Sequence, residues 1–190
     1  MKKIPTIFDR DWNGDRSRVL NKPYSDCGWV FAGEGVAKRK IDGTSCMVRG
    51  DKLFKRRELR EGDTAPEGFE VADEDAETGK TVGWVPVGDG AEDKWHRFAF
   101  DPLLAFEDGT YELIGPKIHG NPEKSETHAL VSHADPKLTI DPQPPRSFDE
   151  LRAWMDGQDV EGIVWHHPDG RMAKLKLRDF GLKRKRQTPA

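Results

Sequence analysis

Eight short runs, GWVFAG, TSCMVR, TVGWVPV, HRFAF, TYELIG, HALVSH, EGIVWHH and RMAKLKL, recur along this sequence, each rich in β-branched or aromatic residues and bounded by Gly, Pro or Asp. Segments of that length and composition read as strands, and the turn residues between them predict a mostly antiparallel sheet protein. One segment reads differently. In SFDELRAWMDG the spacing of Leu151, Trp154 and Met155 gives an apolar stripe of helical period, Ser147 and Glu150 have the form of a capping box, and Gly157 ends the run. The Pro-rich DPQPPR before it is a stiff connector, and residues 61–80, acidic and poor in large apolar groups, read as an exposed loop or insertion. The fold class expected is α+β.

A chain of 190 residues is long enough for one domain with a real core. It is polar, with 34 % charged residues and a mean hydropathy of -0.80, yet six Trp and nine Phe supply core material. No apolar run is long enough to cross a bilayer, and MKKIPTIFDRDWNGD lacks the apolar stretch of a secretory signal, so no membrane partner and a cytoplasmic location are expected. Cys27 and Cys46 have no CxxC spacing, which leaves them as reduced structural thiols. The net charge of -3 exerts no global pull on nucleic acid. Charge is segregated, however: Lys38 to Arg60 is rich in cations, an acidic run from Glu61 to Glu77 follows, and cations return at Lys174, Lys176, Arg178 and 183–186. Neither GxGxxG nor GxxxxGK[ST] occurs, and the signatures of zinc deaminases, Ser-His-Asp hydrolases and Cys proteases are missing as well.

Chemistry concentrates in four runs: Lys40-Ile41-Asp42-Gly43-Thr44, YELIGPKIHGNP, VEGIVW and AKLKL. Asp42 and Gly43 predict a sharp turn beside Lys40, with Gly43 open to a close approach by a ligand. Lys174 and Lys176 are two apart, so on a strand both emerge on one face, a pairing that suits a triphosphate. Glu112 and Glu161 sit in apolar strands, where a carboxylate needs a specific partner. In this order the runs resemble the motifs of ATP-dependent polynucleotide ligases and mRNA-capping enzymes. Within that superfamily they are most similar to small 5′-to-3′ RNA ligases that show KxDGT, ELIGxxxxGNP, LVSH and EGIVW.

The resemblance implies a nucleotidyltransferase (ligase adenylation-domain) fold, two mostly antiparallel sheets flanked by helices with the nucleotide between them. It spans one domain over residues 1–182, with a basic tail over 183–190 and no appended OB domain. It further implies ATP and Mg²⁺ (or Mn²⁺) as cofactors, and RNA with 5′-phosphate and 3′-hydroxyl ends as partner. Lys40 is then the nucleophile. A lysine is ordinarily protonated at neutral pH, with a pKa of about 10.4, so Lys174, Lys176, Arg39 and a divalent cation are expected to disfavour its charged form. Asp42, Gly43 and Arg57, with Arg60 as the rival arginine, take nucleotide-binding roles by the same likeness. Glu112 is expected at the ribose and Glu161 at a metal ion, with Glu112 a second candidate for the metal. The adenine is expected between an aliphatic side chain, Ile163 or Val164, and a flat one. No Phe, Tyr or Trp lies between Tyr111 and Phe148, and His133 is the nominee for the flat position. A DNA ligase, a capping guanylyltransferase and a catalytically silent RNA-binding relative are the alternative readings.

Overall fold

The computed structural model describes residues 3–75, 78–101 and 105–185. In chain order these form β1 (Phe8–Arg10), β2 (Val19–Pro23), α1 (Gly28–Phe31), β3 (Val36–Lys40), β4 (Thr44–Arg49), β5 (Lys52–Leu59), β6 (Glu70–Asp75), β7 (Lys80–Pro86), α2 (Lys94–Ala99), β8 (Gly109–Ile114), β9 (Ala129–Ser132), α3 (Phe148–Asp156), β10 (Gly162–His166) and β11 (Met172–Lys176). The class is α+β, with antiparallel sheets and few helices. No helix among the described residues is long and apolar enough to cross a membrane.

The chain packs as two compact units, one comprising Asp42–Asp135 with the segment up to Lys3, the other Ile4–Ile41 with Pro136–Ala190. The first unit is built on a six-stranded sheet in the order β6-β7-β5-β4-β8-β9, antiparallel throughout. One face carries Cys46, Val48, Leu53, Tyr111 and Leu113, and Trp95 and Ala99 of α2 join that core. The second unit holds the three-stranded sheet β11-β10-β3 and the β1–β2 ribbon. Ala37, Ile163, Trp165, Ala173 and Leu175 of the sheet make its core with Leu151 and Met155 of α3. Both thiols are free and buried, and burial pushes Cys27 up to about 11 and Cys46 up to about 12.

Two expected strands are helices. GWVFAG lies largely in α1, and Cys27 just before it, Val30 and Phe31 follow an i, i+3, i+4 pattern and all join the core. HRFAF lies largely in α2, where Asp93 and His96 at i, i+3 and Trp95 and Ala99 at i, i+4 face inward. The acidic stretch is not wholly a loop either. β6 pairs with β7 through backbone groups that composition does not report, and its acids work at the sheet edge: Arg49 grips Glu70 at 2.7 and 2.9 Å, and Lys3 N bonds Asp73 at 2.8 Å. Charges on an edge strand also discourage pairing with another chain. The α3 helix stands where expected, although Ser147 Oγ donates to the Glu150 carboxylate at 2.5 Å and the capping box does not form.

Candidate active site

The three-stranded sheet decides which side chains share a face. Gly162 of β10 pairs with Lys40 on one side and Lys176 on the other, and Val164 pairs with Lys38 and Lys174. Residues opposite one another in register project to the same face. Lys40 and Lys176 therefore flank Gly162 in one row, and Lys38 and Lys174 flank Val164 in the next. A Cβ on Gly162 would lie 2.2 Å from Leu175 O and 2.8 Å from the Lys176 Cα, so the middle of the first row admits no side chain. Ile163 projects to the other face, where it is fully buried in the core. Of the two aliphatic residues expected near the adenine, Ile163 packs into the core and Val164 is the one on the lysine face.

Glu161 joins the row. Its Oε2 lies 2.5 Å from Lys40 Nζ, and its Oε1 pairs with Lys176 Nζ. Burial works against ionisation of this carboxyl, but Lys40 and Lys176 override it and hold Glu161 below the usual carboxylate range. Where the sequence points only to cations around Lys40, the structure sets a carboxylate directly against it. Two ammonium groups share one carboxylate, which leaves the row cationic and suited to an anion.

In the first unit, the run after Lys40 is held by the IGPKIHGNP loop. Asp42 N donates to Glu123 Oε1 at 3.1 Å, and His119 Nδ1 lies 3.5 Å from Asp42 Oδ1. The loop bends sharply, with His119, Gly120 and Asn121 all at positive φ. Asn121 closes it through Nδ2 to Ser125 O at 3.0 Å and Oδ1 to Ser125 N at 2.9 Å. Gly43 is required by a neighbour in the fold: a Cβ there would meet Leu113 O of β8 at 2.2 Å.

Glu112 is buried, at 7 % exposure, and pairs with Ser45 across β4. His133 Nε2 lies 3.1 Å from Glu112 Oε2, and its Nδ1 lies 2.9 Å from Thr110 Oγ1. Lys55 pairs with Cys46, so alternation puts Arg56 on the face of Ser45 and Glu112 and puts Arg57 on the opposite face. Arg56, and not Arg57, therefore shares the face that carries Glu112. Arg57 is exposed and Arg60 lies beyond the end of β5. Arg56 is half-buried, and burial pushes its guanidinium down against the pull of Asp73, Glu58 and Glu112. Spacing alone does not distinguish three arginines within five positions; strand register does. Among the described residues no cluster of three His, Cys, Asp or Glu forms a ready-made metal cage.

Other cations from the sequence are structural. Lys55 pairs with buried Asp93 at 2.6 Å. Arg184 pairs with Asp159 at 2.7 Å and Lys185 with Asp156 at 3.4 Å, so the start of the basic tail is tied to acidic groups of its own unit; residues 186–190 lie outside the described residues. His128 is a packing residue: its ring stacks on Trp95 with centroids 4.1 Å apart and fills the place a Cβ on Gly115 would need.

The chain is 37 % identical to RNA ligase 1 of Danio rerio over 91 residues, covering 43 % of this chain and 27 % of that protein. It is 26 % identical to RNA ligase 1 of Mus musculus over 223 residues, covering 77 % of this chain and 67 % of that protein. The Pongo abelii protein of the same name is 29 % identical over 56 % of this chain and 42 % of its own length. The family model for RNA ligase 1 matches residues 89–189. That span is more than half of the 190-residue sequence and contains Glu112, His133, Glu161, Lys174 and Lys176, and the chain belongs to the RNA ligase 1 family.

Proposed function

We propose that this chain is an ATP-dependent RNA ligase of nucleotidyltransferase fold that joins 5′-phosphate and 3′-hydroxyl ends through a lysyl-AMP intermediate on Lys40. The observation that carries the reading is the Lys40–Glu161–Lys176 row, a lysine with a carboxylate at 2.5 Å and a second cation in register across a side-chain-free position. Glu161 orients the Lys40 amine through its 2.5 Å contact, and Lys40 must lose its proton before it can attack. The neutral amine then attacks the α-phosphorus of ATP; a P–N bond forms, the bond to the bridging oxygen breaks, and pyrophosphate leaves. Lys174 and Lys176 face the charge that develops on the phosphates.

A 5′-phosphate oxygen of RNA next displaces Lys40 from the AMP phosphorus, regenerating the amine. Finally a 3′-hydroxyl attacks the activated 5′-phosphate, forming the phosphodiester and releasing AMP. Bound Mg²⁺ or Mn²⁺ supplies neutralisation of phosphate charge, and a single carboxylate such as Glu161, with the nucleotide phosphates, fits the way such ions are commonly held. In the first unit, Glu112, His133 and Arg56 offer a polar surface of the kind a ribose takes, which supports Glu112 in the sugar role.

Intact mass after incubation with ATP and Mg²⁺ tests the proposal. A shift of one AMP that disappears in Lys40→Ala is the expected result; an unshifted wild-type mass overturns it.

A further inference from the structure

We propose that the tip of the β1–β2 hairpin is a stacking contact for single-stranded RNA, Trp12 taking a base on its ring and Arg16 the adjoining phosphate. The identity of the ligand rests on the RNA reading above; the presence of a built contact rests on the hairpin itself. Trp12 is 55 % exposed, with the Arg16 guanidinium carbon 6.0 Å from its ring centroid. Every other side chain from Asp11 to Arg18 is polar or absent, so Trp12 is an isolated flat ring and not part of an apolar patch. A protein interface or a bilayer needs broader apolar area than one ring. A nucleobase needs one flat face and a cation near its phosphate.

The loop is stiff. Asp11 Oδ1 accepts from Gly14 N at 2.9 Å, and Asp15 Oδ1 accepts from Ser17 N at 2.9 Å and Ser17 Oγ at 2.6 Å. Backbone bonds from Asp11 N to Arg18 O and from Arg18 N to Asp15 O close its base. A side chain at Gly14 would push the Asp11 carboxylate aside, since a Cβ would lie 2.5 Å from Asp11 Oδ2. A ring displayed on a closed loop loses little freedom when a base stacks on it.

Charge follows a division of labour. Arg10 is spent on Asp179 at 2.9 Å, and Arg18 on Asp15 at 3.2 Å and on Arg178 O at 2.8 Å. Arg16 and Arg178 are exposed, and among the described residues neither has a carboxylate partner. The hairpin is also fixed to the strand bearing the lysine row. Buried Asp179 takes Arg10 on one oxygen and Lys176 N on the other at 2.8 Å, and Ile7 N bonds Lys174 O at 3.0 Å. An RNA strand held at Trp12 is thereby held in fixed register with Lys174 and Lys176.

The test is fluorescence anisotropy of a labelled, 5′-phosphorylated single-stranded RNA without ATP, for wild type, Trp12→Ala, Trp12→Phe and Arg16→Ala, with lysyl-AMP formation measured separately. Trp12→Ala is expected to weaken binding about tenfold, within the range for one lost base–aromatic stack. Trp12→Phe should retain most of the affinity, and Arg16→Ala should flatten the dependence of log affinity on log salt by about one phosphate contact. All variants should form lysyl-AMP as wild type does. Wild-type RNA affinity in Trp12→Ala overturns the proposal, as does equal loss in Trp12→Phe, or unchanged RNA affinity with lost binding to anionic phospholipid vesicles. Failure of wild type to form lysyl-AMP speaks against the ligase reading alone, because the binding measurements need no ATP.

Discussion

Lys40 carries the one bond on which the proposed chemistry turns, and its surroundings make that dependence testable. Lys40→Ala removes the nucleophile and is expected to abolish AMP attachment with the fold retained; Lys40→Arg should be equally inactive, since a guanidinium stays protonated. Intact mass and a thermal melt of the same samples check both outcomes. Glu161→Ala and Lys174→Ala should each slow lysyl-AMP formation by about a hundredfold, the scale for losing a preorganised charged group, while exposed Lys183→Ala should leave it near wild type. Greater damage from Lys183→Ala in a labelled-ATP time course would show that the active cations have been misassigned. His96 marks a different residue-scale effect. Burial depresses it below 6.5, with Asp93 opposing and Lys55 reinforcing, and neither ring nitrogen has a hydrogen-bond partner among the described residues. The folded state thus favours the neutral ring, so its stabilising effect is full above 6.5 and falls as pH drops below that value toward the depressed one. His128 shifts the same way, burial first and Lys117 second. Urea midpoints should fall between pH 7.5 and pH 5.5, and His96→Leu should remove part of that slope; an identical slope in the variant would mean that His96 does not contribute.

At the scale of elements, the sheets work as alignment devices. The row Lys40, Gly162, Lys176 exists because β3, β10 and β11 pair in one register, and a one-residue slip would turn the lysines into the core and Ile163 out of it. Gly162→Ala places a Cβ against the Leu175 carbonyl and should cost about 1–3 kcal/mol, as overpacking does. Chemical denaturation measures it, and a wild-type midpoint would show that β11 yields freely. Strands β4, β8, β10 and β11 were legible because branched and aromatic residues between turn formers mark a pleated, half-buried segment. Helices α1 and α2 were not. Each is only one or two turns long, and four to six residues carry too little periodicity to separate a helix from a strand.

For the whole molecule, the proposal separates a step that involves only ATP from steps that engage a polynucleotide. Sealing should fall steeply as salt rises and self-adenylylation much less, because contacts to a phosphate backbone release counterions. Ligation and lysyl-AMP formation measured over one salt series test this, and equal responses would remove the case for backbone-tracking cations. The family and its lysine, glutamate and glycine motifs could be read in the sequence because chemistry constrains residue type and order along the chain. Which face each neighbour takes could not. Arg56 shares the face of Glu112 and Arg57 does not; Val164 stands on the lysine face and Ile163 lies in the core; Gly43 makes room for β8. Adjacent residues on a strand look alike in composition yet point to opposite faces, and only pairing with other strands decides which face meets water, core or ligand.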